Sequence, residues 1–197
     1  LTSNIAPGSE ISIGIHVVVY TAIDLQGNIA ESFFTVTVLD VEQPQISGMP
    51  ADIVVTNEFA LCGAVVSWDE PSVTDCSDLA SVTASLANGS FFEVGDSLVT
   101  YTAIDIYGNE TSASFNINVV DKDGPVISGL PTQIEIPNYP GQCGSSAFWS
   151  DPVITDNCGV ETVQSNTPPG SFFPIGESTV TYIAVDVNGN ATTHDLL

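Results

Sequence analysis

The sequence predicts an all-β chain in which one small sandwich domain is repeated head to tail. Three observations carry that expectation. The stretch from Val99 to Asn109 has counterparts from Val18 to Asn28 and from Val180 to Asn190, which places Tyr20, Tyr101 and Tyr182 81 residues apart each time. A period of that size is too long for a solenoid repeat and right for a small sandwich. Second, 12 Pro and 16 Gly punctuate short apolar runs, and no stretch has a helical period. Third, hydrophobic residues make up 43 % of the chain, enough for real cores despite a formal net charge of −23.

Taken in order, residues 1–40 align with 82–121 and carry only the second half of a repeat. Residues 41–121 form one complete repeat, and residues 122–197 form a third that lacks its last strand. Within the complete repeat, Ile53-Val54-Val55, Ala64-Val65-Val66 and Val82-Thr83-Ala84 read as short strands. Val99, Tyr101 and Ala103 then alternate on one face up to Asp105. Phe115, Ile117 and Val119 alternate with Ser114, Asn116 and Asn118, the period-two pattern of a half-buried strand. Phe34, Val36 and Val38 are their counterparts in the first repeat. Between these two strands lies Asp-x-x-Gly-Asn, a tight connection whose Gly and Asn accept positive φ. Six or seven strands in about 80 residues describe an immunoglobulin-like sandwich. Tandem copies are expected to form an elongated rod, each adding about 35–45 Å. A half repeat is expected to leave its inner face and strand edges uncovered.

The charge balance narrows the partners. One lysine (Lys122) and no arginine stand against 24 acidic residues. Such a surface repels phosphate backbones and anionic lipid, so nucleic acid and the membrane surface are excluded. No run of 18 apolar residues offers direct membrane insertion. No signal peptide is visible at Leu1; because the chain starts in mid-repeat, any such signal is expected upstream.

The four cysteines fall as Cys62 with Cys76 and Cys143 with Cys158, one pair in each of the last two repeats. Without CxxC spacing or a neighbouring His, disulfides within each repeat are expected ahead of zinc or of free buried thiols. Closing a loop of that size stabilises a fold by about 3 kcal/mol on the chain-entropy model, and disulfides place the protein outside the cytosol.

The combined motifs carry a specific resemblance. Cys, then Val66-Ser67-Trp68 and Pro71, then Thr155-Asp156-Asn157-Cys158, is similar to a hyalin repeat, the HYR domain. So are the segment from Pro169 to Gly176 and the Val-Thr-Tyr-x-Ala-x-Asp-x-x-Gly-Asn core. The resemblance covers essentially the whole chain. It departs from the pattern where Cys76 directly follows Asp75, one place earlier than Cys158. The resemblance implies immunoglobulin-like modules of extracellular matrix and cell-surface proteins. Long acidic arrays of this kind also resemble the giant adhesins of Bacteroidetes, including those used in gliding.

Catalysis has little to stand on, and the chain is expected not to be an enzyme. The recurring acids sit at turns and linkers, where capping and solvation explain them, and His16 and His194 do not recur. No cofactor is required by the motifs, and Ca²⁺ is the one to weigh. With one lysine, most carboxylates lack an internal cation. End-to-end stacking would bring the linkers Asp40-Val41-Glu42 and Asp121-Lys122-Asp123 toward the turns at Asp105/Asn109 and Asp186/Asn190. Asp40, Glu42, Asp105, Asn109, Asp121, Asp123, Asp186 and Asn190 are hard oxygen donors suited to calcium. The spacing is not that of an EF-hand, and the simpler reading, that each Asp caps its own turn, comes first. The expected intra-repeat disulfides draw Asp75 and Asp156 toward the opposite pole, outside this ligand set. Tyr20, Tyr101, Tyr182, Trp68 and Trp149 are assigned to the cores; an exposed Trp would instead be a sugar-stacking platform.

The first functional reading is a spacer segment of a long extracellular or cell-surface fibre or adhesin, partnered by neighbouring repeats of its own chain. The alternatives are a module binding glycans or other cell-surface proteins, and accessory repeats of a secreted enzyme whose catalytic domain lies elsewhere.

Overall fold

The structure, a computed structural model, describes residues 1–197 and contains eighteen strands and no helix. The first repeat carries β1 (Thr2–Ser3), β2 (Gly14–Ile23) and β3 (Ile29–Val38). The second carries β4 (Gln45–Ser47), β5 (Ile53–Thr56), β6 (Gly63–Val65), β7 (Ser72–Thr74), β8 (Leu79–Ala84), β9 (Phe91–Glu93), β10 (Gly95–Asp105) and β11 (Glu110–Val120). The third carries β12 (Val126–Ser128), β13 (Gly144–Ser146), β14 (Val153–Thr155), β15 (Val160–Ser165), β16 (Phe172–Pro174), β17 (Val180–Asp186) and β18 (Ala191–Leu196).

The pairing repeats with the sequence. In the second repeat β5-β11-β10-β8 form one sheet, while β4 pairs with β7 and β6 with β9. In the third, β15-β17-β18 form a sheet, with β12–β14 and β13–β16 as the corresponding pairs. β5 lies parallel to β11, Ile53 opposite Ile117, and the backbone N–H of Ile134 meets the Leu197 carbonyl at the equivalent place. In the first repeat β1-β2-β3 form an antiparallel sheet. The short strands β4, β7 and β9 carry too few residues for periodicity to reveal them.

The long strands bury the side chains that the alternation selects. Val99, Tyr101 and Ala103 on β10, and Phe115, Ile117 and Val119 on β11, are all buried. Each Val, Ile or Phe among them contributes about 1.5–3 kcal/mol when fully withdrawn from water. Trp68 packs edge-on against Phe115 at 5.3 Å and against Phe92 of β9 at 6.1 Å, bridging the β11 sheet and the β6–β9 pair. In the third repeat Val180, Tyr182 and Leu196 form the core, covered by Ile127, Leu130, Ile134, Trp149 and Phe173. There the Trp149 indole Nε1–H donates to the Tyr182 hydroxyl at 2.9 Å. In the first repeat Tyr20 stacks on Phe34 at 6.3 Å, but Phe34 is 50 % exposed where its equivalent Phe115 is 3 % exposed.

Gly63 and Gly144 are required by contact rather than by conformation. A Cβ at Gly63 would run into the Phe92 carbonyl and the Phe91 ring; at Gly144 it would meet the Phe173 carbonyl and the Phe172 ring. The outer ring of each Phe pair therefore lies on the glycine of its own repeat.

The chain forms two compact units. One comprises Leu1–Ser47, Ser72–Thr83 and Tyr101–Ala113; the other comprises Gly48–Pro71, Ala84–Thr100 and Ser114–Leu197. Each junction between repeats lies wholly inside one unit: residues 40–42 and 105–109 in the first, residues 121–123 and 186–190 in the second.

Candidate functional site

The recurring element at both junctions is the Asp-x-x-Gly-Asn turn. Asp105 Oδ1 accepts the backbone N–H groups of Tyr107 and Asn109, each at 2.8 Å, and its Oδ2 accepts the Asn109 amide at 2.7 Å. Asp186 does the same with Asn188 and Asn190, and Asp24 with Gln26 and Asn28. The turn closes because Gly27, Gly108 and Gly189 take φ between 86° and 90°, a conformation open to glycine without penalty. The neighbouring Asn keeps negative φ, unlike the sequence expectation.

These turns receive the preceding linker. The Asn109 amide also reaches the Asp40 carbonyl at 3.4 Å, and the Asn190 amide reaches the Asp121 carbonyl at 3.3 Å. Asp105 is 1 % and Asp186 0 % exposed, whereas Asp24 is exposed. Burial pushes the Asp105 carboxyl up, but the Asn109 amide and the N–H groups of Asn109, Tyr107 and Gly108 outweigh it and hold the group below its usual 3.8. The predicted partners Asp40 with Asp105/Asn109, and Asp121 with Asp186/Asn190, thus come together.

The predicted disulfides do not form within repeats. Cys62 pairs with Cys158, 96 residues away and in the next repeat, and Cys76 and Cys143 are free thiols. The reason is where the two halves of a repeat lead. Cys62 follows the 57–61 loop, which clasps the linker leading out of its repeat. There Asp123 Oδ2 accepts the Asn57 amide and the Ala60 N–H, both at 3.1 Å, and Asn57 Oδ1 accepts the Lys122 N–H at 3.0 Å. Cys76 instead follows β7 and rests against the linker leading in, its sulfur 3.7 Å from both Asp40 oxygens. By the 81-residue period Cys76 stands where Asn157 stands, and Ser77 stands where Cys158 stands. Asn157 likewise turns its amide to Asp121 Oδ1 at 3.3 Å and to the Leu61 carbonyl at 3.1 Å. Although much of Cys76 is exposed, burial of its sulfur and then the charges of Asp40, Asp75 and Glu42, together with a hydrogen bond to Glu42, push the thiol up to about 11.

This pairing also corrects the acidic set. Asp156 and Asp75, left out on the expectation of intra-repeat bridges, belong to the junctions. Asp121, Asp156 and Asp186 each place a carboxylate oxygen within 4.8 Å of the others, and Asp40, Asp75 and the Cys76 sulfur do so at the first junction. Asp186 is held through both oxygens by its own turn, but Asp121 and Asp156 are each fixed by one: Asp156 Oδ1 accepts the N–H groups of Cys158 and Gly159, and Asp121 Oδ1 accepts that of Asp123. The other oxygens of Asp121, Asp156 and Asp75 are buried without a hydrogen-bond partner. Ionised carboxylates whose oxygens lie within 4.8 Å of one another repel, on the order of 3.5 kcal/mol for a pair of unit charges at that distance and an effective dielectric of about 20. Lys122 is exposed. Asp123 is spent on the 57–60 clasp, the Glu42 backbone N–H caps Asp40, and Asn109 and Asn190 donate rather than coordinate. The signal that would have found Asp75 and Asp156 was in the sequence: they recur at 81 residues, as Asp40/Asp121 and Asp105/Asp186 do.

Comparison with known proteins gives a consistent result. The HYR domain family model matches residues 1–38, 39–119 and 120–194. Hyalin of Strongylocentrotus purpuratus is 38 % identical over 192 residues, covering 93 % of this chain and 16 % of hyalin. Sushi, von Willebrand factor type A, EGF and pentraxin domain-containing protein 1 of Rattus norvegicus is 37 % identical over 165 residues, covering 80 % of this chain and 4 % of that protein. The serine-rich adhesin for platelets of Staphylococcus aureus is 28 % identical over 113 residues, covering 53 % of this chain and 5 % of the adhesin. The chain therefore spans a small part of the length of the relatives it matches.

Proposed function

The chain belongs to the HYR domain family, and from that premise we propose that it is a non-enzymatic spacer segment of an extracellular, adhesion-related protein. Its work is reach and stiffness, delivered by tandem sandwiches whose linkers are clamped. The observation that carries this reading is the crossing of a repeat boundary by the Cys62–Cys158 bridge, beside the Asp123–Asn57 clasp. A bridge of this kind restricts the hinge between modules, whereas a bridge within a repeat would leave it free. Similarity to a protein named as an adhesin supports the adhesive context, and the disulfide suits an oxidising compartment. An acidic surface keeps neighbouring fibres apart.

Small-angle X-ray scattering on the oxidised chain tests the reading. Two and a half repeats in line, at about 35–45 Å each, give a radius of gyration of roughly 25–30 Å. A compact globule of this length gives about 16 Å, and that value would overturn the proposal.

A further inference from the structure

We infer that Asp121, Asp156 and Asp186 form a Ca²⁺ site at the junction of the second and third repeats. The inference rests on the reading of the junctions as stiffened, but its failure would leave the disulfide-held boundary standing. Acidic clusters are common on a chain this charged; burial and orientation set this one apart. Asp121 is 5 % exposed, and its Oδ2 is buried with no hydrogen-bond partner. That oxygen belongs to a side chain already fixed through Oδ1 by the Asp123 N–H and the Asn157 amide. Asp156 has the same arrangement, one oxygen held by two backbone N–H groups and the other buried and unpartnered. Asp186, 0 % exposed, completes the set from the β17 turn.

The three acids thus come from a linker, a loop and a turn of different parts of the chain, each anchored so that carboxylate oxygens converge within 4.8 Å. An all-oxygen, triply anionic donor set selects a hard cation. Ca²⁺ tolerates irregular geometry with bonds of about 2.3–2.6 Å, so oxygens no farther apart than 4.8 Å can reach one ion together. Mg²⁺ needs bonds of about 2.0–2.1 Å and near-ideal octahedral geometry, a stricter demand on three anchored side chains. Zinc favours nitrogen and sulfur donors, which this set lacks. The ion would tie the linker to the module it enters, on the same side of the boundary as the Cys158 end of the bridge.

The test uses the full chain, freed of metal with EGTA, in thermal unfolding and in calorimetric titration with CaCl₂. Ca²⁺ at about a hundred times its dissociation constant is expected to raise the midpoint by roughly 10–20 °C, with MgCl₂ at equal concentration giving a much smaller rise. Asp156→Asn and Asp121→Asn keep the Oδ1 acceptor of each turn while removing one charge. Each is expected to lose one bound Ca²⁺ relative to wild type and most of the rise. In EGTA, however, each variant should unfold at or above the wild-type midpoint, because like-charge repulsion is relieved. That crossing separates a ligand from a merely structural aspartate. Equal wild-type midpoints in Ca²⁺ and EGTA would overturn the inference, as would wild-type stoichiometry in Asp156→Asn. A midpoint that rises between pH 7 and pH 5 without responding to Ca²⁺ would replace the ion by a shared proton and overturn it too.

Discussion

Replacing Cys62 and Cys158 together by serine removes a bridge that spans 96 residues of sequence. If the second and third repeats unfold as one, the bridge closes that whole loop in the unfolded chain, and the chain-entropy model assigns it about 4.7 kcal/mol. If the third repeat unfolds while the second stays folded, the tether closes only the segment from the linker at Asp121 to Cys158, about 37 residues. The same model then gives about 3.8 kcal/mol. The first route lowers the midpoint of the joint transition by roughly 10–20 °C, and the second lowers that of the third repeat alone by roughly 15–30 °C. Differential scanning calorimetry of the oxidised chain and the double variant, with peptide mapping under non-reducing conditions, reads both the size and the partner. The reasoning is refuted if mapping finds Cys62 joined to Cys76, or if the two proteins unfold within about 3 °C of each other.

Three further outcomes follow from particular contacts. Tyr182→Phe leaves the Trp149 indole N–H, which donates at 2.9 Å, without its acceptor. It should cost about 1–2 kcal/mol in urea denaturation; an unchanged midpoint would show that the hydrogen bond contributes nothing net. Cys76, whose thiol is pushed from 9.0 up to about 11, should react with iodoacetamide at pH 8 about a hundred-fold more slowly in the folded chain than after unfolding, since only the thiolate attacks. Equal rates would contradict its placement against Asp40. Asp105 titrates below its unfolded value of 3.8, so its contribution is full above that value and is lost as pH falls through the folded pKa. Urea midpoints measured between pH 7 and pH 3 should therefore decline below about pH 4, and decline less steeply in Asp105→Asn. Parallel acid limbs for the two proteins would remove Asp105 from the account.

What the sequence determined was everything governed by local period or by repetition. Side chains two apart along β10 and β11 must share a face, so the alternation alone assigns Val99, Tyr101, Ala103, Phe115, Ile117 and Val119 to the core. The 81-residue spacing made the Asp-x-x-Gly-Asn turn a repeated part, and stacking of repeats was enough to bring Asp40 to Asp105/Asn109 and Asp121 to Asp186/Asn190. Only the tertiary structure decided which cysteine meets which. Disulfide partners depend on where loops far apart in sequence end in space, and Cys62 and Cys76 attend different linkers. A Cys62–Cys76 pairing places Asp75 and Asp156 at the opposite pole, whereas the Cys62–Cys158 bridge leaves both at the junctions. The buried Oδ2 atoms of Asp121 and Asp156 have the same origin, because whether a carboxylate faces water or two other carboxylates is fixed by the packing of one repeat against the linker of the next.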